Sequence, residues 1–316
     1  MEIKSNINLS DKNWFKTGGT AKYYIAPKNN DDFKNALLYA KNNNLDIFVI
    51  GKGANILISD DGFDGLVINP KINSAYHEEY DEKHSVVHAG AGLSLQDLIS
   101  YCLDNNLLGL EEFSGIPGTI GGSTYINIHY FSFYLSHFLI NGTIINKKTL
   151  KIETVDNQWF NFGYDQSKLL QKEHYLLQAS FKLKKANIEQ TAYARGRREE
   201  IIKHRNARYP NSHTCGSFFR NFFDHEVTQT IADTNKKMIY VAYYLDKLGI
   251  KGCLKKGGAI VSHKHANMIV NQKNATSHDI IDLAKEMQLL VKEHFSITPQ
   301  PECQLVGFKN YPLLQC

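Results

Sequence analysis

The sequence predicts a mixed α+β fold divided into two or three lobes. Three observations lead there. The chain runs to 316 residues, too long for one ordinary hydrophobic core. Apolar residues make up 42% and charged residues 22%, the balance of a globular protein and not of a disordered one. Short apolar runs alternate with amphipathic stretches at helical spacing, and no internal repeat is visible.

Taken in order, residues 31–43 (DDFKNALLYAKNN) open on acidic residues and carry apolar ones at helical spacing, so a helix is expected. Residues 46–50 (DIFVI) read as a buried strand followed by a turn at Gly51-Lys52-Gly53. Residues 56–58 and 66–68 read as two more short strands, 85–90 as a strand, and 95–105 as a helix. From residue 137 to about 184 the pattern is strand-rich, with turns expected at Asn141-Gly142 and around Asp156. Residues 189–206 and 279–295 read as helices, the second ended by PQPE. Seams fall near residues 72 and 190, dividing the chain into 1–72, 73–190 and 191–316.

The net charge of +4, from 36 basic and 32 acidic residues, gives no strong overall field. Nucleic-acid and membrane partners are therefore not expected, whereas a mild positive excess suits an anionic substrate or phosphorylated cofactor. Cys102, Cys215, Cys253, Cys303 and Cys316 are scattered and form no CxxC pair. With an N-terminus lacking a signal-peptide core, and no apolar run near the ~20 residues of a membrane span, a reduced cytoplasmic protein is expected.

Two glycine clusters carry the first chemical signal: GKGANILISD (51–60) and GIPGTIGG (115–122). Glycine-rich loops let backbone N–H groups approach phosphate oxygens closely because no Cβ intervenes. Neither cluster is a Walker loop or a GxGxxG turn. Each alone reads as a tight turn; the two together point to a cofactor with a diphosphate.

Further strings share an order and spacing with one family. NWFKTGGTA (13–21), GKGANILISDDGFDG (51–65), GIPGTIGG, FGYDQS (162–167), CGSFFRN (215–221), GGAIVSHKHANMIVN (257–271) and PQPECQLVGF (299–308) cover nearly the whole chain. Their arrangement resembles the UDP-N-acetylenolpyruvoylglucosamine reductase (UDP-N-acetylmuramate dehydrogenase) family. The resemblance implies an FAD-binding module of the vanillyl-alcohol-oxidase type, in two α+β subdomains, plus a C-terminal α+β domain for substrate. It implies a monomeric oxidoreductase of peptidoglycan precursor synthesis, with FAD as cofactor and NADPH as co-substrate. UDP-N-acetylglucosamine enolpyruvate would be the substrate.

By the same resemblance, Gly51, Lys52, Gly53, Ala54, Asn55 and Ile56 would bind FAD, with Gly115, Ile116, Pro117, Gly118, Thr119, Gly121 and Gly122. Ser217 would be the proton donor, Glu302 would polarise the substrate carboxylate or buffer that serine, and Tyr164 would belong to the catalytic group. Asn221, Asn267 and Arg208 would contact substrate. A serine hydroxyl is a poor acid in water, so that role requires a stabilised product anion or a proton relay.

Two departures from the family pattern stand out. Asp165 follows Tyr164 where the family has an arginine for the substrate carboxylate; Arg205, Arg208 and Arg220 are the candidate substitutes. After GIPGTIGG the chain reads NIHYFSFYLSHF (127–138), bulky aromatics in place of small residues. These changes keep open a divergent flavin oxidoreductase, or a catalytically weakened paralogue that only binds a sugar nucleotide. No metal is expected: His263-Lys264-His265 would face opposite ways on a strand and has no third ligand at zinc-like spacing. Arg195, Arg197, Arg198, Lys203, Arg205 and Arg208 read as a solvated helix face, and Tyr240, Tyr243 and Tyr244 as core packing.

Overall fold

Apolar residues at Phe33, Ala36, Leu37 and Ala40 recur every three or four positions, so helix α1 (Asn30–Asn42) buries one face. Its start is capped by the Asn29 side chain, whose oxygen accepts from the Asp32 N–H at 2.8 Å. The protein is described by a computed structural model covering residues 2–231 and 234–315. The chain folds into two compact units. The first comprises Met1–Ser5, Tyr23–Lys52 and Asp64–Arg205; the second comprises Asn6–Lys22, Gly53–Phe63 and Asn206–Cys316.

Two larger sheets and a small hairpin at 129–134 lie wholly or mostly in the first unit. One runs in the order Lys4–Asn8, Thr20–Ile25, Phe63–Ile68, Asp46–Val49, its last two strands parallel with Val49 opposite Ile68. Helix α1 packs on it, burying Phe33 and Leu37 against Ile25, Leu66 and Ile68. The other sheet runs Ile152–Asp156, Leu139–Asn146, His174–Lys185, His84–Gly90, Ala75–Glu79, with antiparallel neighbours throughout. Every strand of the first of these sheets precedes residue 72, and every strand of the second follows it.

Helix α2 (Leu95–Asp104) buries Leu95, Leu98, Ile99, Cys102 and Leu103 in the core behind the second sheet. Each fully buried leucine or phenylalanine there contributes about 1.5–3 kcal/mol. The six-residue helix α3 (Ile120–Tyr125) joins the same core through Ile120. Helix α4 (Ile188–Arg208) buries only Thr191, Ala194 and Ile201, and Arg195 and Arg197 face outward onto Asp104 and Glu112. Arg195, Arg197, Lys203 and Arg208 form the solvated face the composition suggested, whereas Arg198 and Arg205 are partly buried.

In the second unit, helix α5 (Val241–Lys247) and helix α6 (Ser277–Phe295) pack on a three-stranded antiparallel sheet, Lys255–Lys256, Ala259–Val261, Ile269–Asn271. A parallel pair joins Ile56–Ile58 to Gln304–Val306. Asp60, at the end of the first glycine motif, anchors α6: its Oδ2 accepts from the Ser277 N–H at 2.7 Å and from the Ser277 hydroxyl at 2.9 Å. A carboxylate at a helix N-terminus meets unpaired N–H groups and the positive end of the helix dipole. Of the three tyrosines read as packing, Tyr244 is fully buried and Tyr243 lies against the core, but Tyr240 is exposed just before α5.

The strands and helices fall close to the expected positions, with two corrections. Asn141-Gly142 is not a turn. Both residues lie inside Leu139–Asn146, where a register shift lets the strand bend. A Cβ on Gly142 would sit 2.8 Å from Phe160 Cζ and 3.0 Å from Leu176 Cδ1, so glycine is there for close packing and not to reverse the chain. His263-Lys264-His265 lies in the turns between two strands, not on a strand. Substituting Gly142→Ala is expected to lower unfolding free energy by about 1–3 kcal/mol through overpacking, read as a lower denaturation midpoint with the secondary structure unchanged.

Candidate active site

In the first unit the glycine clusters converge. A Cβ on Gly51 would lie 2.4 Å from Thr119 Oγ1, so only glycine admits this approach. Thr119 caps α3, its hydroxyl accepting from the Gly122 N–H at 3.3 Å. Gly121 packs against Ala91, whose carbonyl accepts its N–H at 2.8 Å. The Lys52 ammonium donates to Ser94 Oγ at 2.7 Å. Gly115 has φ +76°, and its N–H donates to Gln96 Oε1 at 3.0 Å. The Gln96 amide in turn donates to the carbonyls of Phe113 and Ile116, fixing the loop before Pro117 and Gly118.

Three buried hydroxyls border this loop and α3. Ser114 and Thr124 are 0% exposed and Ser123 is 2% exposed. None has a hydrogen-bond partner among the described residues. A buried hydroxyl left unpaired costs about 1–3 kcal/mol, so donors gathered beside glycines suit a ligand rich in acceptor oxygens. That donor set fits a diphosphate-bearing cofactor. Sequence reasoning missed these hydroxyls and Gln96, although the serine and threonine directly after GIPGTIGG were a legible signal.

The remainder of the first motif, Gly53, Ala54, Asn55 and Ile56, belongs to the second unit. Gly53 has φ +65°, and its carbonyl accepts from the Trp14 N–H at 3.0 Å. Both polar side-chain atoms of Asn55 are buried without a partner among the described residues, and its carbonyl accepts from the Gln304 N–H at 3.1 Å.

Ser217 and Glu302 lie on two adjacent segments of the second unit. Glu302 N–H donates to the Phe218 carbonyl at 2.9 Å, and Phe219 pairs antiparallel with Pro301. Both residues are half-buried. Asn267, 3% exposed, clamps this arrangement: its Oδ1 accepts from the Phe219 N–H at 3.1 Å and its Nδ2 donates to the Phe219 carbonyl at 2.7 Å. Its own carbonyl accepts from Phe218 N–H at 2.8 Å. Asn221 Oδ1 accepts from the Val241 N–H at 3.3 Å at the start of α5.

The arginine candidates are placed differently. Arg220 forms a two-pronged pair with Glu226, both contacts at 2.7 Å, and this guanidinium holds the Glu226 carboxyl below the usual carboxylate range. Arg208 lies over the Tyr209 ring. Arg205, in the first unit, lies 5.3 Å from the Tyr130 ring centroid, and its side chain passes Gly115. Tyr164 is also in the first unit, its ring 4.9 Å from that of His129, and His129 Nδ1 is 3.5 Å from Asp165 Oδ1.

Comparison with known proteins decides the family. A protein from Prochlorococcus marinus subsp. pastoris named UDP-N-acetylenolpyruvoylglucosamine reductase is 33% identical over 98% of this chain and 98% of its own. The chain belongs to the UDP-N-acetylenolpyruvoylglucosamine reductase family. A like-named protein of Latilactobacillus sakei subsp. sakei is 31% identical over 98% of this chain and 95% of its own. Residues 208–306 match the C-terminal domain of UDP-N-acetylenolpyruvoylglucosamine reductase, and residues 21–138 match an FAD binding domain. The crystal structure of UDP-N-acetylenolpyruvylglucosamine reductase (MurB) from Thermus caldophilus shares the fold, with a TM-score of 0.77 over 97% of this chain and 100% of that one, at 23% identity. The fold class is thus an α+β FAD-binding module followed by the family's C-terminal domain.

Two outcomes follow from the second unit's polar contacts. Asn267→Ala orphans the buried N–H and carbonyl of Phe219 and is expected to cost about 1–3 kcal/mol for each group, measured by denaturant unfolding. Burial, followed by the Arg208 charge, pushes the His265 imidazole down from 6.5 to about 4. A depressed folded-state value stabilises the fold above the unfolded value, and the contribution is lost as pH falls. Stability is therefore expected to fall from pH about 6.5 toward about 4, and His265→Gln to flatten that slope.

Proposed function

We propose that this protein reduces UDP-N-acetylglucosamine enolpyruvate to UDP-N-acetylmuramate with NADPH, through bound FAD, as a monomeric cytoplasmic enzyme of peptidoglycan precursor synthesis. The observation that carries the reading is end-to-end similarity to proteins of that name, at 33% identity over 98% of both chains. Among the described residues no helix is long and apolar enough to cross a membrane. The three-part division 1–72, 73–190 and 191–316 is proposed on the same footing, supported by two sheets on either side of residue 72 and a helix beginning at Ile188.

FAD, when bound, supplies hydride transfer between NADPH and the enolpyruvyl group. The glycines of 51–53 and 115–122, with the hydroxyls of Ser114, Ser123 and Thr124, would hold its diphosphate. Ser217 would deliver a proton to C2 of the substrate. Glu302, fixed opposite Phe218, would polarise the substrate carboxylate or take part in the serine's proton relay. Asn267 would act as a positioning residue, since its amide is committed to Phe219. Asn221 and Arg208 would reach the sugar nucleotide, and Tyr164 would line the reacting end.

Asp165 favours a second reading, a flavin oxidoreductase acting on another sugar nucleotide. Anaerobic reduction of the purified protein by NADPH, followed by the enolpyruvyl sugar nucleotide, separates the two. Reoxidation of the flavin absorbance is expected; flavin that stays reduced selects the second reading. Ser217→Ala is expected to keep FAD and its reduction by NADPH while slowing reoxidation by about 10²–10⁴-fold.

A further inference from the structure

In the second unit the antiparallel strands Ala259–Val261 and Ile269–Asn271 are joined by residues 262–268, a loop held by its own polar groups. The Ser262 N–H donates to the Met268 carbonyl at 2.8 Å and closes the loop at its base. The Lys264 N–H donates to the Ser262 hydroxyl at 3.1 Å, and the Lys264 ammonium donates to the Asn206 carbonyl at 2.7 Å. Inside the loop, the Met268 N–H donates to the His265 carbonyl at 3.1 Å, and the Asn267 N–H donates to His265 Nδ1 at 3.3 Å. The His265 ring therefore supports the backbone of the same residue whose amide holds Phe219 and whose carbonyl holds Phe218.

An imidazole nitrogen accepts a hydrogen bond only through a free lone pair, so this bond requires a neutral His265 with its proton on Nε2. The surroundings keep the ring in that form. It lies 5.4 Å from the Tyr209 ring, tilted by 56°. Burial and then the Arg208 charge push the imidazole down to about 4; Asp246 opposes them, and Lys251 adds to them. Those charged groups come from the segment before Tyr209, from α5 and from just beyond it, and Lys251 is itself paired with Asp246 at 2.7 Å. On its own loop the neighbouring charge, Lys264, is turned to the Asn206 carbonyl, and His263 precedes it. Near neutral pH the ring is thus uncharged and Nδ1 is an acceptor. An apolar side chain of similar size would fill the same space but leave the buried Asn267 N–H without this partner.

We propose that His265 is a positioning residue for proton delivery by Ser217: its neutral, Nε2-protonated ring holds the Asn267 backbone, and Asn267 holds the segment that carries Ser217. The inference rests on the proposed function, in which Ser217 gives a proton to the substrate. The route is short and lies wholly in the second unit. It runs from His265 Nδ1 to the Asn267 N–H, from the Asn267 carbonyl to the Phe218 N–H, and across one peptide bond to Ser217. The Asn267 side chain adds a second tie, to Phe219. Because the Phe218 carbonyl also accepts the Glu302 N–H, slack in the clamp reaches the Glu302 segment too. A misplacement of about 1 Å at a reacting group costs about 10²-fold in rate. A proton on Nδ1 turns the acceptor into a donor facing another N–H, so the tie is lost as pH falls toward about 4.

In the FAD-loaded protein, reduction by NADPH and reoxidation by the enolpyruvyl sugar nucleotide are followed separately and anaerobically by the flavin absorbance. His265→Leu, which fills the site without an acceptor, is expected to slow reoxidation by about 10- to 100-fold while reduction by NADPH holds. His265→Asn, whose Oδ1 takes the place of Nδ1, is expected to restore most of the rate. In wild-type protein with nitrogen-15-labelled histidine, the His265 resonances are assigned by their loss in His265→Asn. They are expected to show Nε2 protonated and Nδ1 bare at neutral pH. A protonated Nδ1, reoxidation by His265→Leu at the wild-type rate, or equal slowing of both half-reactions that His265→Asn does not relieve overturns this inference and leaves the proposed function standing. The tautomer is read on the wild-type protein, so it decides the matter even where His265→Leu does not fold. A wild-type protein whose reduced flavin is not reoxidised overturns the proposed function and this inference with it.

Discussion

The segments that carry the candidate chemistry in the second unit are irregular and buried, so their backbone groups must find partners outside any regular ladder. Asn267 is the partner that matters most. One side-chain amide satisfies both the N–H and the carbonyl of Phe219, while the Asn267 backbone accepts from Phe218. With 218–219 held in place, Pro301 and Glu302 can pair alongside, and Ser217 and Glu302 come onto neighbouring segments. The approach of the second segment is fixed from behind. Gln288, fully buried in α6, donates to the Pro299 carbonyl at 2.7 Å and accepts from the Leu314 N–H at 2.9 Å. The same constraint explains how residues 6–22 and 53–63 are built into this unit: Asn271 Nδ2 donates to the Phe15 carbonyl, and Asp60 caps α6. Polar side chains do here what strand pairing does in the first unit.

The first unit solves the opposite problem. Its sheets satisfy their own backbone, and what is scarce is space. Gly51 against Thr119, Gly121 against Ala91 and Gly142 against Phe160 are positions where a single Cβ would strike a neighbour. Close approach at the first of these brings the two glycine clusters together, and three unpaired hydroxyls flank the second cluster in sequence. A loop of small residues with spare donors is a ready site for an acceptor-rich ligand.

Much of this was legible in the sequence, for reasons that differ by element. Helices α1 and α6 announced themselves through apolar spacing and acidic first turns, and burial followed that spacing. The ordered motifs placed the glycine clusters and the Ser217 and Glu302 segments because each motif is local. What stayed hidden depends on neighbours distant in the chain. Nothing near Gly142 signals that Phe160 and Leu176 close over it, so the asparagine-glycine pair read as a turn. Gly51 and Gly53 looked like one loop, yet they belong to different units. The structural work of Asn267 could not be read either, because its partners lie 48 residues away.

The two departures show most clearly how folding changes interpretation. Read along the sequence, Asp165 removes a cation and 127–138 adds bulk, two independent losses from a site that binds an anion. In space they are one arrangement. Asp165 adopts φ +49°, a left-handed conformation that aspartate tolerates better than most residues, and this turns its carboxylate toward a histidine the aromatic hairpin has brought in. The aromatic rings also lower the polarity around that histidine, which disfavours a permanent charge. An acid 3.5 Å from an imidazole is not a stranded negative charge. The bulky residues that looked like an obstruction pack around that histidine, with Tyr134 stacked on its ring at 5.2 Å.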